Sequence, residues 1–131
     1  MHLFLGVGSI LLGSTMTFAF GQWTETLTLL SVLIAIDYIT GVTAAIRDGS
    51  GLDSKVGFWG LFKKGLILLV VLLAHRVDVL LGTEMVMGGA VYFYIVNELL
   101  SVIENFGRIG VPLPPSLRKV IQILRDRVGK E

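Results

Sequence analysis

The residues best able to do chemistry in this sequence are acids and amides set inside apolar runs. Asp37 is the single charged residue between Leu27 and Ile46. Further along, Tyr94, Asn97, Glu98, Ser101, Glu104 and Asn105 recur at i, i+3, i+4, i+7, i+10 and i+11, a spacing that gathers them on one side of a helix. An ionised carboxylate at a bilayer centre costs about 2.5–3.5 kcal/mol on insertion scales, so such groups are expected to face other helices or water. The chemistry implied is charge pairing, hydrogen bonding between helices or the lining of a water path. Gly41, Ala44 and Ala45 share the face of Asp37, and the four-residue step from Gly41 to Ala45 suits close approach of a second helix. The competing reading of Asp37 is a protonated carboxyl, hydrogen-bonded within one subunit and without further role.

Bond-making chemistry finds no support. The sequence has no glycine-rich phosphate loop, no His-Glu-x-x-His and no convincing Ser, His and Asp set, so no enzyme activity is expected. It contains no cysteine, which excludes disulfides and thiolate chemistry, and its two histidines are far apart, so neither a metal nor a cofactor is expected. His75 falls near one end of an apolar run and Asp37 in the middle of another, which argues against a His–Asp pair.

The elements that must carry these groups are apolar and long. Hydrophobic residues make up 53% of the chain and charged residues 16%, with a mean hydropathy of +0.79. So small a soluble fold could not bury that much apolar surface, whereas a bilayer supplies apolar surroundings. The expected class is an all-α integral membrane protein with about four transmembrane helices and a basic amphipathic helix at the C-terminus. Residues 1–106 form the membrane domain, with spans at about 3–20, 27–46, 61–79 and 85–103, and residues 107–131 form the tail. The first span is read as a retained helix rather than a cleaved signal peptide, because no basic residue precedes it. If it does not span, three spans remain. Gly6, Ser9, Gly13, Thr17 and Gly21 recur along it every three or four residues, a face that permits close helix packing in lipid.

Charge is sorted along the chain. Residues 1–106 carry five Lys or Arg against eight Asp or Glu, and residues 107–131 carry six against two. The connectors at 21–26 and 82–84 hold no Lys or Arg, whereas Arg47, Lys55, Lys63 and Lys64 flank the other turn, so both termini are expected on the cytoplasmic side. Lys63 and Lys64 read as residues that snorkel to the interface and fix orientation. After the break at Gly110-Val111-Pro112-Leu113-Pro114-Pro115, Leu117, Val120, Ile121, Leu124 and Val128 keep helical spacing, with Arg118, Lys119, Arg125 and Arg127 mostly between them. Such a helix could lie on anionic lipid or pack on a neighbouring subunit; beside spans, lipid is a better partner for it than nucleic acid.

Several of these blocks together resemble the phage-lysis and toxin-secretion holin family. They are Asp37-Tyr38-Ile39-Thr40-Gly41 with Ala44-Ala45, Ser54-Lys55-Val56-Gly57 leading to Gly60-Leu61-Phe62-Lys63-Lys64, the run from Asn97 to Asn105, and Gly110-Val111-Pro112-Leu113-Pro114. The resemblance covers about residues 30–125 and leaves the amino-terminal stretch unmatched. It implies a small phage or prophage protein that collects in the bacterial cytoplasmic membrane, forms homo-oligomers and opens lesions through which endolysin, its functional partner, reaches the cell wall. Some relatives are associated with release of large toxins. A small channel or transporter subunit, or an accessory protein of a larger membrane complex, is the alternative.

Overall fold

The computed structural model describes residues 1–49 and 54–129; residues 50–53, within the expected turn, and 130–131 lie outside it, as do the side chains of Ser54, Leu124, Val128 and Gly129. Five α-helices follow one another: α1 (His2–Phe20), α2 (Glu25–Arg47), α3 (Ser54–Leu81), α4 (Met85–Ile109) and α5 (Pro115–Gly129). No strand occurs among the described residues. The first four helices are each long and apolar enough to cross a membrane. α3 and α4 run past the apolar windows read from the sequence, beginning at Ser54 rather than near 61 and ending at Ile109 rather than near 103. At 1.5 Å per residue, the 28 residues of α3 span about 42 Å, more than the roughly 30 Å of a hydrocarbon core, so its ends extend into the interfaces.

α2 and α4 form the central pair, with α3 against α4 and α1 touching only α3. The pairing follows from apolar residues at three- and four-residue steps: Leu27, Leu30 and Leu33 of α2 meet Val91, Ile95 and Val102 of α4, and Val71 of α3 closes the cluster. Outward-facing Leu29, Val32, Ile39 and Ile46 on α2 and Leu69 and Leu73 on α3 leave an apolar surface suited to lipid. Ile121 of α5 is buried, while Leu117, Val120 and Ile123 stay exposed.

The turns are held by specific polar contacts. Thr24 caps α2, accepting a hydrogen bond from the Leu27 amide at 3.3 Å. Asp78 serves both helices of the α3–α4 hairpin. Its carbonyl accepts from the Thr83 amide (3.0 Å) as Gly82, at φ 70°, turns the chain out of α3. Its carboxylate, 3% exposed, accepts from the amides of Val86 (3.0 Å) and Met87 (2.8 Å) and from the Thr83 hydroxyl (2.6 Å). Those amides have no partner within α4, and lipid would supply none. α4 closes in the same manner at Gly110, φ 92°, where the Val111 amide donates to Phe106 at 3.0 Å.

α1 stands apart. Of its residues only Ala19 is buried; Gly6, Ser9, Gly13 and Thr17 are all exposed, and a methyl group added to Gly6 or Gly13 would meet nothing. Its C-terminal end is fixed to α3 instead. Arg76 donates to the Phe18 carbonyl at 3.3 Å and lies 4.2 Å from the Phe18 ring centroid, supplying a cation where the helix carbonyls end. Gly21 takes φ 69°, and a Cβ there would fall 2.7 Å from the His75 ring, so shape and backbone both demand glycine.

Asp78→Ala should lower the stability of the folded chain, because two helix amides and a hydroxyl lose their acceptor. Titration of detergent-solubilised protein with sodium dodecyl sulfate, followed by tryptophan fluorescence, measures this; an unchanged midpoint would refute the capping role. In the same assay Gly21→Ala should cost about 1 kcal/mol or more, while Gly13→Ala leaves the midpoint in place.

Candidate functional site

The polar groups of α2, α3 and α4 converge at one depth. Asp37 lies ten residues before Arg47, Lys64 ten residues after Ser54 and Glu98 eleven residues before Ile109, so each is about 15 Å along its helix from the end bearing Arg47, Lys55 and Arg108. Three antiparallel or parallel helices meeting at these positions bring the ammonium of Lys64 between two carboxylates. Lys64 Nζ donates to Asp37 Oδ2 and, at 2.9 and 2.7 Å, to Glu98 Oε1 and Oε2. Asp37 and Glu98 are buried and Lys64 is partly so.

A second layer fixes the carboxylate of α2. Asn105, one helical repeat beyond Glu98 on α4, donates from Nδ2 to Asp37 Oδ1 (2.8 Å), to the Asp37 carbonyl (3.1 Å) and to Thr40 Oγ1 (3.0 Å). Thr40 in turn donates to the Ile36 carbonyl at 2.7 Å, which leaves its oxygen free to accept. Among the described residues no buried side-chain nitrogen or oxygen lacks a partner. The network is therefore closed within one chain, although two carboxylates face one ammonium. If all three are ionised, one negative charge is balanced only by the dipoles of Asn105 and its surroundings.

Toward the basic end the network opens into a cleft of about 590 Å³ between α2, α3 and α4. Small residues keep its walls apart from one another without filling it: Gly41 and Ala45 on α2, Gly57 and Gly60 on α3. Ser101 and Asn105 contribute polar atoms from α4, and the Tyr38 hydroxyl donates to the Gly57 carbonyl at 3.4 Å across the cleft. At its mouth Arg108 pairs with Asp48 at 2.7 Å. This arrangement can hold charge and water within a span; among the described residues no cluster of His, Cys, Asp or Glu is suited to a metal.

The polar residues expected along α4 divide. Glu98 and Asn105 are buried, Tyr94 and Ser101 are half-buried on the same side, and Asn97 and Glu104 are exposed. Neighbouring residues differ by about 100° around a helix, so the six cover too wide an arc for α2 and α3 to enclose. The two lysines divide as well. Lys63 is exposed beside the Trp59 ring, 5.7 Å from its centroid, as a snorkelling residue would be, while Lys64 turns into the bundle. Arg47 and Lys55 are exposed at the basic end, together with Arg118, Lys119, Arg125 and Arg127 of α5.

Residue type alone groups Lys64 with Lys63 as a snorkelling cation and does not disclose its pairing. The signal was its depth, since Asp37 and Glu98 needed a cation at their own level and Lys64 stands there. Asp78 lies within α3, seven residues before α4 begins, so only the folded turn discloses it as the acceptor for the first amides of α4.

Comparison with known proteins agrees with this architecture. The model of the bacteriophage holin family matches residues 14–126. An uncharacterized protein of Halalkalibacterium halodurans is 40% identical over 99% of this chain and 100% of its own length. A 14.9 kDa protein of Clostridium perfringens is 41% identical over 92% of each chain, and a probable holin of Bacillus phage phi105 is 36% identical over 83% of this chain and 80% of its own. No solved structure matches. With four helices able to span and a family match over most of its length, this chain belongs to the bacteriophage holin family.

Proposed function

We propose that the protein accumulates in the bacterial cytoplasmic membrane with both termini on the cytoplasmic side, self-associates, and opens lesions that let endolysin reach the cell wall. The observation that carries this reading is the buried Asp37–Lys64–Glu98 cluster at mid-depth of three spans, beside a cleft. A helix bundle that only anchors a protein has no use for three ionisable groups there, because each is expensive in lipid. A bundle that must exist in two arrangements does. In the closed arrangement the ammonium and the carboxylates satisfy one another inside a single chain. In an assembly, the same groups can face water in a lumen, where hydration replaces the ion pairs. The basic residues at the ends of α2 and α3 and on α5 support the orientation by the positive-inside rule. The exposed small-residue face of α1 and the outward Asn97 of α4 offer surfaces for neighbouring copies.

A non-lytic channel subunit draws on the same cleft, and expression separates the two readings. Production of the chain alone in a bacterium should abolish the membrane potential abruptly after a delay, and co-production of an endolysin should convert that event into loss of cell density. Cells that keep their potential and viability while the protein accumulates would exclude the holin reading.

Lys64→Met tests the cluster itself. Removing one partner of a buried ion pair destabilises by about 3–5 kcal/mol, here at the expense of the closed bundle. The expected outcome is an earlier onset of permeabilisation at equal protein level. The triple variant Asp37→Asn, Lys64→Met, Glu98→Gln, which leaves no unpaired charge, should move the onset back toward the wild-type time. Unaltered timing in Lys64→Met, with protein level matched by immunoblot, would show that the cluster does not govern opening.

A further inference from the structure

Where α4 leaves the apolar region and α5 folds back against it, the two helices enclose a groove of about 520 Å³. Its composition changes along its length. Leu100 and Ile103 lie six to nine residues before Ile109, so this wall runs about 9–14 Å back along α4 from its end, into the last residues of the apolar run that closes near 103, and Val111 and Leu113 continue it past the Gly110 turn. At the other end stand Arg118 and Arg125 of α5, seven residues apart and therefore on one side of the helix, flanking the buried Ile121. Neither arginine has an ion-pair or hydrogen-bond partner among the described residues, whereas Gln122 between them is engaged with Asp126 at 3.0 Å. The exposed carboxylate of Glu104 stands on the groove's rim and is also unpartnered.

We propose that this groove is a binding site for one molecule of phosphatidylglycerol. The phosphodiester would sit between the guanidinium groups of Arg118 and Arg125, whose planar donors suit phosphate oxygens. An acyl chain would run along Leu100 and Ile103. The glycerol headgroup carries two hydroxyls that can donate to Glu104, which gives a use to a carboxylate that would repel a bare phosphate. This assignment rests on the reading of α1–α4 as membrane spans with α5 at the surface, and it goes beyond general attraction of a basic helix to anionic lipid. A diffuse attraction would weigh every cation of α5 alike; a site weighs Arg118 and Arg125 above Lys119 and Arg127, which lie on other sides of the helix.

The test uses the full chain in a non-ionic detergent, where no bulk membrane charge acts, with bound lipid counted by native mass spectrometry during titration. One phosphatidylglycerol per chain should be retained, in preference to phosphatidylcholine, and inorganic phosphate should not displace it at equal concentration. The double variant Arg118→Gln, Arg125→Gln should weaken retention about tenfold or more, and the charge-matched double variant Lys119→Gln, Arg127→Gln should leave it within about twofold. Equal loss in both double variants would overturn the site in favour of diffuse attraction. Equal retention of phosphatidylcholine would overturn the headgroup assignment, and displacement by phosphate would overturn the requirement for a lipid. The measurement is made on isolated protein, so it stands apart from the lysis assay: a chain that fails to permeabilise cells can still bind the lipid, and a lytic chain can fail to.

Discussion

Lipid offers no hydrogen bonds, and that absence governs how this chain is built. An ionisable or amide group buried within a span must find its partner in the protein, and among the described residues no buried side-chain nitrogen or oxygen lacks one. Lys64 is the clearest case. Its ammonium joins α3 to both α2 and α4, and it does so although α2 and α3 touch each other little. Without it, two carboxylates would confront one another across the α2–α4 interface, the most extensive packing surface in the molecule. The apolar cluster above the site, from Leu27 to Ile95, holds the helices side by side. The charges set which residue on each helix meets which, because a shift of one turn, about 5.4 Å, would separate them.

The same rule operates at the helix ends. Asp78 ends one helix with its carbonyl and begins the next with its carboxylate, which makes the α3–α4 connection short and stiff. That stiffness matters for the site, because it fixes α4 lengthwise against α3 and so aligns Glu98 with Lys64, some 20 Å away along the hairpin by the helical rise. A carboxylate and an ammonium far apart in sequence are thus brought together by a third residue that touches neither.

How far the sequence discloses this differs from one residue to the next. Long apolar runs make the four helices plain, since hydropathy and span length come from the same bilayer dimension. Asp37, Glu98 and Asn105 stand out because polar residues are rare in such runs. Lys64 does not, since its neighbour Lys63 has the same chemistry and only one of the two faces inward; which one depends on the helix rotation chosen by packing around Val71. Asn97 is exposed and lines no part of the cleft, while Glu104 is exposed but reaches its wall, for a related reason: periodicity gives a side of a helix but not the width of that side that neighbours cover. The extension of α3 back to Ser54 is invisible to hydropathy, because Lys55, Lys63 and Lys64 dilute the apolar signal while costing the helix nothing.

α1 bears on the space the molecule occupies within the plane of the membrane. Its 19 residues make a rod about 28 Å long, clamped near Phe18 by Arg76 and unsupported over the rest of its length. Pivoting such a cantilever by about 20°, an ordinary tilt for a helix in a bilayer, carries its far end sideways by about 10 Å. The area swept is a large fraction of the bundle's own cross-section. A neighbour that packed on the small-residue face of α1 would stop that motion, so the contact would have to outweigh the entropy of the pivot it arrests.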